Sequence, residues 1–585
     1  MTSHVGEALG MTSFRIEEVT FRAAEVSAWS RLEPRFRNWP VVYTLSDGRD
    51  IYVGESLNAA GRFKQHLESP GRRHLRAARV VVDDTFNKSV CLDLESYLIR
   101  LFAGDGKYQV LNGNHGITNA DYFGRDAYRT TFGEIFEALR DRGAFTRPIQ
   151  EIENSDLFKL SPFKALTQEQ AIAVEDILSG LFDDLESGAG SRIVISGSPG
   201  TGKTVVAIFL MKLLSDIQHA DPAAPPETDA LLAEFFVPGY PELLRNFRVG
   251  LVVPQQSLRT SIKGVFKKTP GLRPAQVLSP FEVGNSPHPF DLLVVDETHR
   301  LNQRAAQAAG PLNTMFAAIN RRLFGSDDPT RTQLDWINVQ SKHQIYLLDG
   351  AQAIRPADLP LAATTRLRED AAMDRRLYRL TSQMRVRAGD DYVAYIRGLL
   401  DGSVTEPKSF GDYDLRFFDD FSEMRRAIFA RDAEVGLSRV LAGFAWKYAS
   451  KKDRSAVDIR LGGLDLQWNG TDVDWVSSPG SLQQVGSIHT IQGYDLNYAG
   501  VVVGRDLRFD QQQRRVVFDR SQYFDPRGTT NNKLLGITYS DDDILALVRN
   551  IYAVLLTRGM SGTYVYVCDE ALRSHLRPFF SSPRR

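Results

Sequence analysis

Short apolar runs, many of them β-branched and closed by polar or glycine residues, recur along the chain and indicate buried strands. We assign to strands residues 41–45, 51–55, 80–82, 193–195, 249–254, 291–295, 345–348, 501–503 and 564–567. Apolar residues at helical spacing indicate helices over 57–67, 91–102 and 205–211. The pattern predicts a chain in which strands and helices both recur.

Composition narrows the class of protein. The chain has 585 residues, which is enough for roughly three to four domains, and 43% of them are hydrophobic and 24% charged. The net charge of -1 means that any surface for nucleic acid must be local. The two cysteines cannot form a disulfide framework or a cysteine zinc site, which fits a reducing compartment. We expect a cytosolic (cytoplasmic) protein without leader or membrane span.

A glycine-rich loop between the strand at 193–195 and the helix at 205–211 carries the strongest chemical signal. It fits the pattern G-x-x-x-x-G-K-[ST] in its required strand–loop–helix context. Its backbone N–H groups and the helix N-terminus would hold the phosphates of ATP. Lys203 would reach the β- and γ-phosphates, and Thr204 would ligate Mg²⁺. The alternative is an ordinary turn before a helix, which the flanks disfavour. The loop consists of Gly197, Ser198, Pro199, Gly200, Thr201, Gly202, Lys203 and Thr204.

Two later strands end in polar residues that suit an ATP site. The strand at 291–295 is followed by Asp296 and Glu297, at the end of a parallel strand where ligands bind. Asp296 would bind Mg²⁺, and Glu297 would polarise the attacking water. The strand at 345–348 leads to Gln352, which is placed to sense the γ-phosphate. The alternative for Asp296 and Glu297 is a buried strand that ends in an acidic turn. Such a turn is common by itself, but it is improbable at this spacing downstream of a phosphate loop.

The first domain contains a predicted hairpin around Asp47-Gly48 and a helix that presents Arg62 and His66 on one face. In the next helix Glu95 lies within an apolar stripe of Leu92, Ile99 and Phe102. A carboxylate in such a stripe is costly unless it is paired or binds a metal. A glutamate at the edge of the stripe is the plainer alternative.

The polar residues of this region, taken in order, resemble the GIY-YIG nuclease family over about residues 38 to 118. The first tripeptide departs from the family pattern, because Val41-Val42-Tyr43 replaces Gly-Ile-Tyr. Only the tyrosine of that tripeptide is kept. The resemblance implies that Glu95 binds Mg²⁺ or Mn²⁺ and that Tyr43 acts as, or relays to, a general base. It implies that Arg62 stabilises the phosphorane charge, Tyr52 and His66 position phosphate and water, and Asn112 supports the site. The residues that carry it are Tyr43, Tyr52, Gly54, Arg62, His66, Glu95 and Asn112.

Several polar segments have weaker signals. A basic cluster over 62–66 and 72–79 could follow a phosphate backbone or be a solvated helix face. Residues 443–447 look like a strand end, and 505–548 like a loop over nucleic acid or an insertion. Asp541-Asp542-Asp543 is interpreted as a helix N-terminus rather than a metal site.

The series that follows the phosphate loop resembles a superfamily 1 helicase motor over about residues 163 to 575. It is most similar to the Schlafen group 3-like DNA/RNA helicase domain of bacterial proteins. The resemblance implies that Gln170 reads the adenine, and that Arg385 and Arg558 are arginine fingers from a second RecA-like domain. A surface salt bridge is the alternative for Arg385. The residues implied to link nucleic acid to ATP are His489, Gln492 and Gly493.

The fold we expect is α/β, with a small mixed nuclease domain and two RecA-like P-loop domains with parallel sheets. The predicted segments are an extension (1–37), a nuclease domain (38–118), a helical connector (119–162) and two motor domains (163–375 and 376–585). The predicted function is an ATP-dependent helicase or translocase, with DNA preferred over RNA as partner, fused to a divalent-metal endonuclease for defence or repair. The alternative is an ATPase switch that senses nucleic acid and whose first domain binds without cutting; a metabolic kinase would not explain Gln352 and the arginines.

Overall fold

The computed structural model describes residues 14–113, 122–220, 230–305, 307, 310–349, 353–383, 386–471, 475–491 and 494–580. The chain divides into two compact units. The first unit takes the residues up to Ala171 with Ile208–Glu242 and Gly264–Pro274, and the second takes the remainder. Across these ranges no helix combines the length and the apolar character that crossing a bilayer demands.

A five-stranded mixed sheet in the order β1-β4-β2-β3-β5 is the centre of the first unit. Strands β2 and β3 form the predicted hairpin, which places Tyr43 opposite Gly54 and Leu45 opposite Tyr52. Its elements are β1 (Arg15–Thr20), α1 (Ala23–Trp29), β2 (Val41–Ser46), β3 (Asp50–Ser56), α2 (Ala59–Glu68), β4 (Ala77–Val82), α3 (Lys88–Asp105) and β5 (Gln109–Val110).

The sheet begins earlier in the chain than the predicted nuclease domain. Strand β1 pairs with β4 along its whole length, within the stretch assigned to an N-terminal extension. It is an edge strand in which Val19 is the one fully buried side chain. An edge strand with so few buried residues has almost no hydrophobic pattern, so the sequence did not reveal it.

The predicted apolar stripe on helix α3 is wrong in one position. Leu92 is 39% exposed, whereas Ile99 and Phe102 are buried as expected and Glu95 is half-buried. The helix packs against β3 on one side and against further helices on the other. Because most of its circumference is covered, a single stripe could not identify the buried face.

Residues between the first sheet and the motor form a packed helical layer. Pro148 is the N-cap of the second of these helices. Phe132 and Phe136 lie in the same hydrophobic cluster as Leu98 and Phe102 of α3. The helices are α4 (Arg125–Asp141), α5 (Ile149–Asn154) and α6 (Asp156–Lys159).

A six-stranded sheet in the order β11-β6-β10-β9-β7-β8 lies in the segment that the sequence predicts to be the first half of the motor. Every strand pair in it is parallel, so the carboxyl ends of β6, β9 and β10 meet at one edge. The elements are α7 (Gln168–Ser187), β6 (Arg192–Gly197), α8 (Lys203–Gln218), α9 (Ala230–Ala233), α10 (Tyr240–Leu243), β7 (Val249–Val252), α11 (Gln256–Lys268), β8 (Val277–Leu278), α12 (Pro280–Gly284), β9 (Phe290–Val295), α13 (Gly310–Phe324), α14 (Gln333–Gln340), β10 (Ser341–Leu348), α15 (Leu361–Met373) and β11 (Leu377–Leu380).

A five-stranded parallel sheet in the order β12-β20-β17-β13-β16 forms the second half. Two antiparallel hairpins, β14–β15 and β18–β19, are inserted between its strands. Two parallel sheets and one mixed sheet confirm the predicted α/β class. The elements are α16 (Asp390–Asp401), β12 (Asp414–Phe418), α17 (Phe421–Val435), β13 (Ser438–Ala442), β14 (Ile459–Leu461), β15 (Leu464–Leu466), β16 (Val485–Gly486), α18 (Ile488–Ile491), β17 (Leu496–Val503), β18 (Leu507–Asp510), β19 (Arg515–Phe518), α19 (Asp541–Leu556), β20 (Gly559–Val567) and α20 (Glu570–Phe580).

The acidic run at 541–543 begins helix α19, as predicted. Ser540 is the N-cap, and its side chain and that of Asp543 form a reciprocal capping box. Acidic residues in the first turn interact favourably with the helix dipole, so this run is explained without a metal ion.

A buried carboxyl lies just after strand β17 in the second half of the motor. Asp506 is fully buried, and its Oδ1 accepts a hydrogen bond of 2.6 Å from Tyr552. The same tyrosine oxygen accepts the N–H of Gly504 at 2.9 Å. Burial raises the pKa of Asp506 to about 7 from its ordinary 3.8. Folding is therefore coupled to protonation of this group.

We predict that Asp506→Asn makes the stability of the protein less sensitive to a rise in pH from about 4 to about 7. Because the folded pKa lies above the unfolded one, this group's contribution to stability falls as pH rises from about 4 to about 7. An amide keeps the acceptor for Tyr552 without the charge. Urea unfolding at pH 5.5 and pH 8 should show a smaller difference for the variant, by roughly 2 kcal/mol. Asp465→Asn, at a surface ion pair, should leave the difference unchanged; an equal effect of both substitutions would contradict the assignment.

Candidate functional sites

The glycine-rich loop connects β6 to α8 in the form that phosphate binding requires. Gly200 and Gly202 have φ angles of 88° and 79°, a region in which side chains are strained. A Cβ atom on Gly197 would lie 2.5 Å from Oγ1 of Thr201 and 2.8 Å from the carbonyl oxygen of Leu380. The loop therefore turns tightly and ends at the N-terminus of a helix, where backbone N–H groups are available to an anion.

Lys203 is the first residue of α8, and its ammonium group lies within the loop. Its Nζ donates to the carbonyl oxygens of Gly197 and Ser198 at 2.7 and 2.8 Å. It also lies 3.6 Å from a carboxylate oxygen of Asp349, at the end of β10. The side chain is 8% exposed. The Lys203 ammonium group is therefore a buried cation that lies between the carboxyl ends of β6 and β10.

Thr204 and Asp296 connect two neighbouring elements of the first motor sheet. The Thr204 hydroxyl donates to Oδ2 of Asp296 at 2.8 Å. Burial, reinforced by the charge of Glu297, raises the pKa of Asp296 to about 6. A hydroxyl beside a buried carboxylate at a phosphate loop is a donor set that suits Mg²⁺, because that ion prefers oxygen ligands.

Glu297 follows in a left-handed backbone conformation, with φ 48°. Its carboxylate lies 3.0 Å from Nε2 of His299. Burial opposes its ionisation, but the His299 hydrogen bond and the positive charges of Lys203 and Arg558 outweigh burial, so the pKa of Glu297 is lowered. The group is an ionised carboxylate at neutral pH, as a water-orienting residue must be.

Arg558 comes from the second motor sheet, between α19 and β20. Its side chain is buried, and Nη1 donates to the carbonyl oxygen of Tyr494 at 3.4 Å. Its charge also acts on Glu297, which places it toward the end of β9. The structure therefore brings a cation of the second sheet to the carboxylate of the first.

Some predicted site residues are not tested by these contacts. Gln352 and Arg385, with Gln492 and Gly493, lie outside the described residues. Gln170 belongs to the first unit and is buried at the start of α7, where Oε1 accepts the N–H of Thr167 at 3.1 Å. That contact is a helix cap. A role in reading adenine stays a prediction.

Two residues that the sequence did not single out contact the site or join the two halves of the motor. Gln383 donates to the carbonyl oxygen of Pro199 in the phosphate loop at 2.7 Å. Arg355 donates to Oδ2 of Asp525 at 3.0 Å and to Nε2 of His489 at 2.5 Å. Both Gln383 and Arg355 follow a strand of the first motor sheet, which is the signal that could have identified them.

His489 is held as a neutral acceptor at this junction. Burial, with the charge of Arg355 next in size, lowers its pKa well below the usual value. Its carbonyl oxygen accepts from Gln255 at 3.4 Å. The segment beginning at β16 is therefore fastened to the first sheet through both its side chain and its backbone.

A tyrosine-centred cluster occupies one face of the first sheet. The Tyr43 hydroxyl lies 2.8 Å from Nε2 of His66, and Arg62 is hydrogen-bonded to the same hydroxyl. Burial, reinforced by Tyr52, raises the pKa of Tyr43 well above its ordinary value, while Arg62 opposes this shift. Tyr43 is therefore a neutral phenol whose oxygen is held by two polar partners.

A further arginine orients this histidine. Arg72 lies over the Tyr52 ring at 3.9 Å from its centroid, and its Nη1 is 3.0 Å from Nδ1 of His66. Because arginine can only donate, Nδ1 accepts, and the neutral imidazole carries its proton on Nε2. His66 then donates to Tyr43. The basic stretch at 72–79 thus contributes at least one residue to the cluster.

Glu95 and Asn112 take different parts in this cluster. Glu95 is half-buried on α3, and its charge acts on Tyr43. Asn112 accepts the N–H of Val53 at 3.0 Å and donates to the carbonyl oxygen of the same residue at 2.7 Å. It thereby holds strand β3 between Tyr52 and Gly54, a supporting role. The structure brings the six predicted nuclease residues to one region of the sheet.

Comparison with known proteins identifies the motor. A family model described as "Schlafen group 3, DNA/RNA helicase domain" matches residues 191–569, more than half of the chain. The chain belongs to this family. The Schlafen group 3 helicase domain contains the phosphate loop, Asp296, Glu297 and Arg558, and the predicted resemblance is confirmed for this part. The tyrosine-centred cluster lies before the matched region.

Two individual proteins are also similar. An uncharacterized protein of Saccharomyces cerevisiae is 26% identical over 417 residues, which is 66% of this chain and 84% of that protein. A solved structure titled "Structural Basis for DNA Unwinding at Forked dsDNA by two coordinating Pif1 helicases" covers 69% of this chain and 92% of its own, with 10% identity and a TM-score of 0.26. The helicase domain is thus shown by the family match.

We predict that Gly54→Ala disrupts the tyrosine-centred cluster. A Cβ at this position would lie 2.5 Å from Cζ and the hydroxyl oxygen of Tyr43, so the ring must move. We expect a loss of roughly 1 to 3 kcal/mol in unfolding free energy, measured by urea denaturation of the full chain. Gly48→Ala is the matched control, because a Cβ there meets nothing within 4 Å. Equal stability of the two variants would show that the ring has room to move.

Proposed function

We propose that this protein is an ATP-driven helicase or translocase whose first domain is a divalent-metal-dependent nuclease. The observation that supports the motor best is the ionised state of Glu297, which is favoured by the charge of Lys203 and by that of Arg558 from the second sheet. Cations on both sides of a transferred phosphoryl group are what ATP hydrolysis between two domains requires. The Schlafen group 3 helicase family supports the same reading.

Each motor residue has a distinct part in this proposal. The N–H groups of the loop and Lys203 bind the phosphates, and Thr204 with Asp296 would hold Mg²⁺. Glu297 orients the attacking water, and Arg558 approaches from the second sheet. ATP supplies the phosphoryl group, and Mg²⁺ neutralises its charge. The residues present fit both groups because the glycines, the buried lysine and the oxygen pair are already arranged.

Closure of the two halves would link ATP to movement along nucleic acid. Arg558 extends from the second half, and Arg355 extends from the first half to His489 of the second. The contacts of both arginines therefore change when the two sheets move. Gln352 and Arg385 remain proposed members of the same set, as sensor and second finger. DNA is the proposed partner ahead of RNA.

We predict that Glu297→Gln abolishes ATP turnover while nucleotide binding remains. The amide keeps the volume of the side chain but cannot act as a base, so the rate should fall by roughly 100-fold or more. Phosphate release and binding of a fluorescent ATP analogue measure the two effects separately. Glu369→Gln, an exposed carboxylate on α15, is the control and should behave as wild type. Undiminished turnover in Glu297→Gln would contradict the assigned role.

The proposed nuclease rests on the tyrosine-centred cluster. Two donors on the Tyr43 oxygen, His66 and Arg62, favour its phenolate and so support a base role against the effect of burial. Arg62 is also placed to stabilise the phosphorane charge, and Tyr52 and His66 to position phosphate and water. Glu95 would hold Mg²⁺ or Mn²⁺, which supplies Lewis-acid chemistry when bound. Its half-buried carboxylate beside Tyr43 fits that ion.

The second candidate is an ATPase switch whose first domain binds nucleic acid without cutting. It is favoured by the raised pKa of Tyr43, since a neutral phenol is a poor base. Both candidates suit a part in DNA repair or in defence against foreign DNA. Cleavage assays separate them.

We predict that Glu95→Ala and Tyr43→Phe each remove cleavage of plasmid and single-stranded DNA in Mg²⁺ or Mn²⁺. The first loses the metal ligand and the second the hydroxyl, so rates should fall by roughly 100-fold. ATP turnover should not change, because the motor residues are intact. Glu68→Ala, exposed on α2, is the control. If the wild-type chain hydrolyses ATP but cuts no substrate, the switch is the correct reading.

A further inference from the structure

A segment that follows strand β13 combines aromatic and basic side chains at residues 444–454, which we call the aromatic–basic loop. We propose that this loop binds a single-stranded nucleic acid, with bases stacking on Trp446 and the backbone running along Lys447, Lys451 and Lys452. The inference rests on the proposed function as a nucleic-acid motor and assigns part of its track. The sequence had suggested only a strand end here.

The charges of this loop are not neutralised by the protein. Lys447, Lys451, Lys452 and Arg454 are exposed, and no carboxylate of the described residues forms an ion pair with them. Asp453, the one acid in the loop, accepts the N–H of its neighbour Ser455 at 2.9 Å. Several arginines of this half are paired, among them Arg416, Arg431, Arg439 and Arg508. In a chain of net charge -1, an unpaired basic cluster marks a surface for a polyanion.

The aromatic side chains of the loop are backed by the core. Trp446 is half-buried and meets the buried Trp468 edge to face, with ring centroids 6.3 Å apart. Phe444 lies 6.2 Å from the same indole. Lys447 and Lys451 lie 5.7 and 6.0 Å from the ring centroids of Phe524 and Tyr448. Half-buried rings interleaved with cations are the combination that holds unpaired bases and their phosphates. Such rings and charges together favour single strands over other polyanions.

The loop is held in one conformation. Asp458 accepts the N–H of Ser450 at 2.7 Å and the N–H of Trp468 at 2.8 Å. The Tyr448 hydroxyl donates to the carbonyl oxygen of Asn469 at 2.8 Å. These bonds fasten both the loop and the indole behind it. Binding would therefore order few groups, which lowers its entropic cost.

The position of the loop connects it to the motor. It begins at the carboxyl end of a parallel strand, and the Phe444 ring lies 5.3 Å from the ring of His489. His489 accepts from Arg355 of the first sheet. A base stacked on Trp446 would thus be connected through the rings of Trp468 and Phe444 to His489, at the contact between the two halves.

The test measures binding of the full chain to fluorescein-labelled oligodeoxythymidine and to a poly-uridine RNA of equal length. Trp446→Ala should weaken binding by roughly tenfold, and Trp446→Phe should restore most of it because a ring remains. Lys451→Gln with Lys452→Gln should weaken binding and lower the slope of log affinity against log salt by about 1 to 2. The matched control is Arg426→Gln with Lys408→Gln, which removes two exposed charges elsewhere in the same half.

The expected result is a loss in the Trp446→Ala and lysine variants, with thermal unfolding and basal ATP turnover unchanged. Whichever of the two labelled strands shows the loss is the ligand. If either variant binds as the control does, the inference is wrong, since it requires both stacking and phosphate contacts. If the wild-type chain binds neither strand, both the loop assignment and the proposed motor function are wrong. If the wild-type chain binds and the variants bind equally well, only the assignment of the loop is wrong.

Discussion

The hydrogen bond from Thr204 to Asp296 is the contact on which the motor site depends. It connects the first turn of α8 to the end of β9 and so holds the phosphate loop beside the acidic strand end. A parallel sheet brings such ends to one edge, and the buried Lys203 then finds its carbonyl and carboxylate partners there. The ionised state of Glu297 follows, because Lys203 is one of the charges that stabilise it.

Interactions near the same edge connect the two parallel sheets of the motor. Arg558 acts on Glu297 from the second sheet, and Arg355 reaches His489 and Asp525 from the first. Each contact couples a charged group of one half to a polar group of the other. Such pairs are sensitive to small displacements, since a buried charge that loses its partner is costly. In the proposed function, ATP and nucleic acid influence each other through these contacts.

The tyrosine-centred cluster obeys a different constraint. Its polar groups are buried beside a hydrophobic core, so each one needs a partner. Arg72 determines the tautomer of His66, and Asn112 satisfies both backbone groups of Val53. Gly54 leaves room for the Tyr43 ring. The cluster is therefore a mutually dependent set, whatever reaction it performs.

The amino-acid sequence by itself determined the local features: the phosphate loop, the hairpin around Asp47-Gly48, the cap of α19 and the acidic residues after β9. These follow from spacing and from backbone requirements that involve near neighbours. Only the tertiary structure decided which face of α3 is buried, that β1 joins the sheet, and that Gln383, Arg355 and Arg72 contact the sites. Those outcomes depend on residues far apart in the chain, and edge strands and surface arginines have no periodic pattern. The fold class was accessible because parallel strands bury continuous apolar runs, whereas the partners of a polar side chain appear only when the strand ends meet.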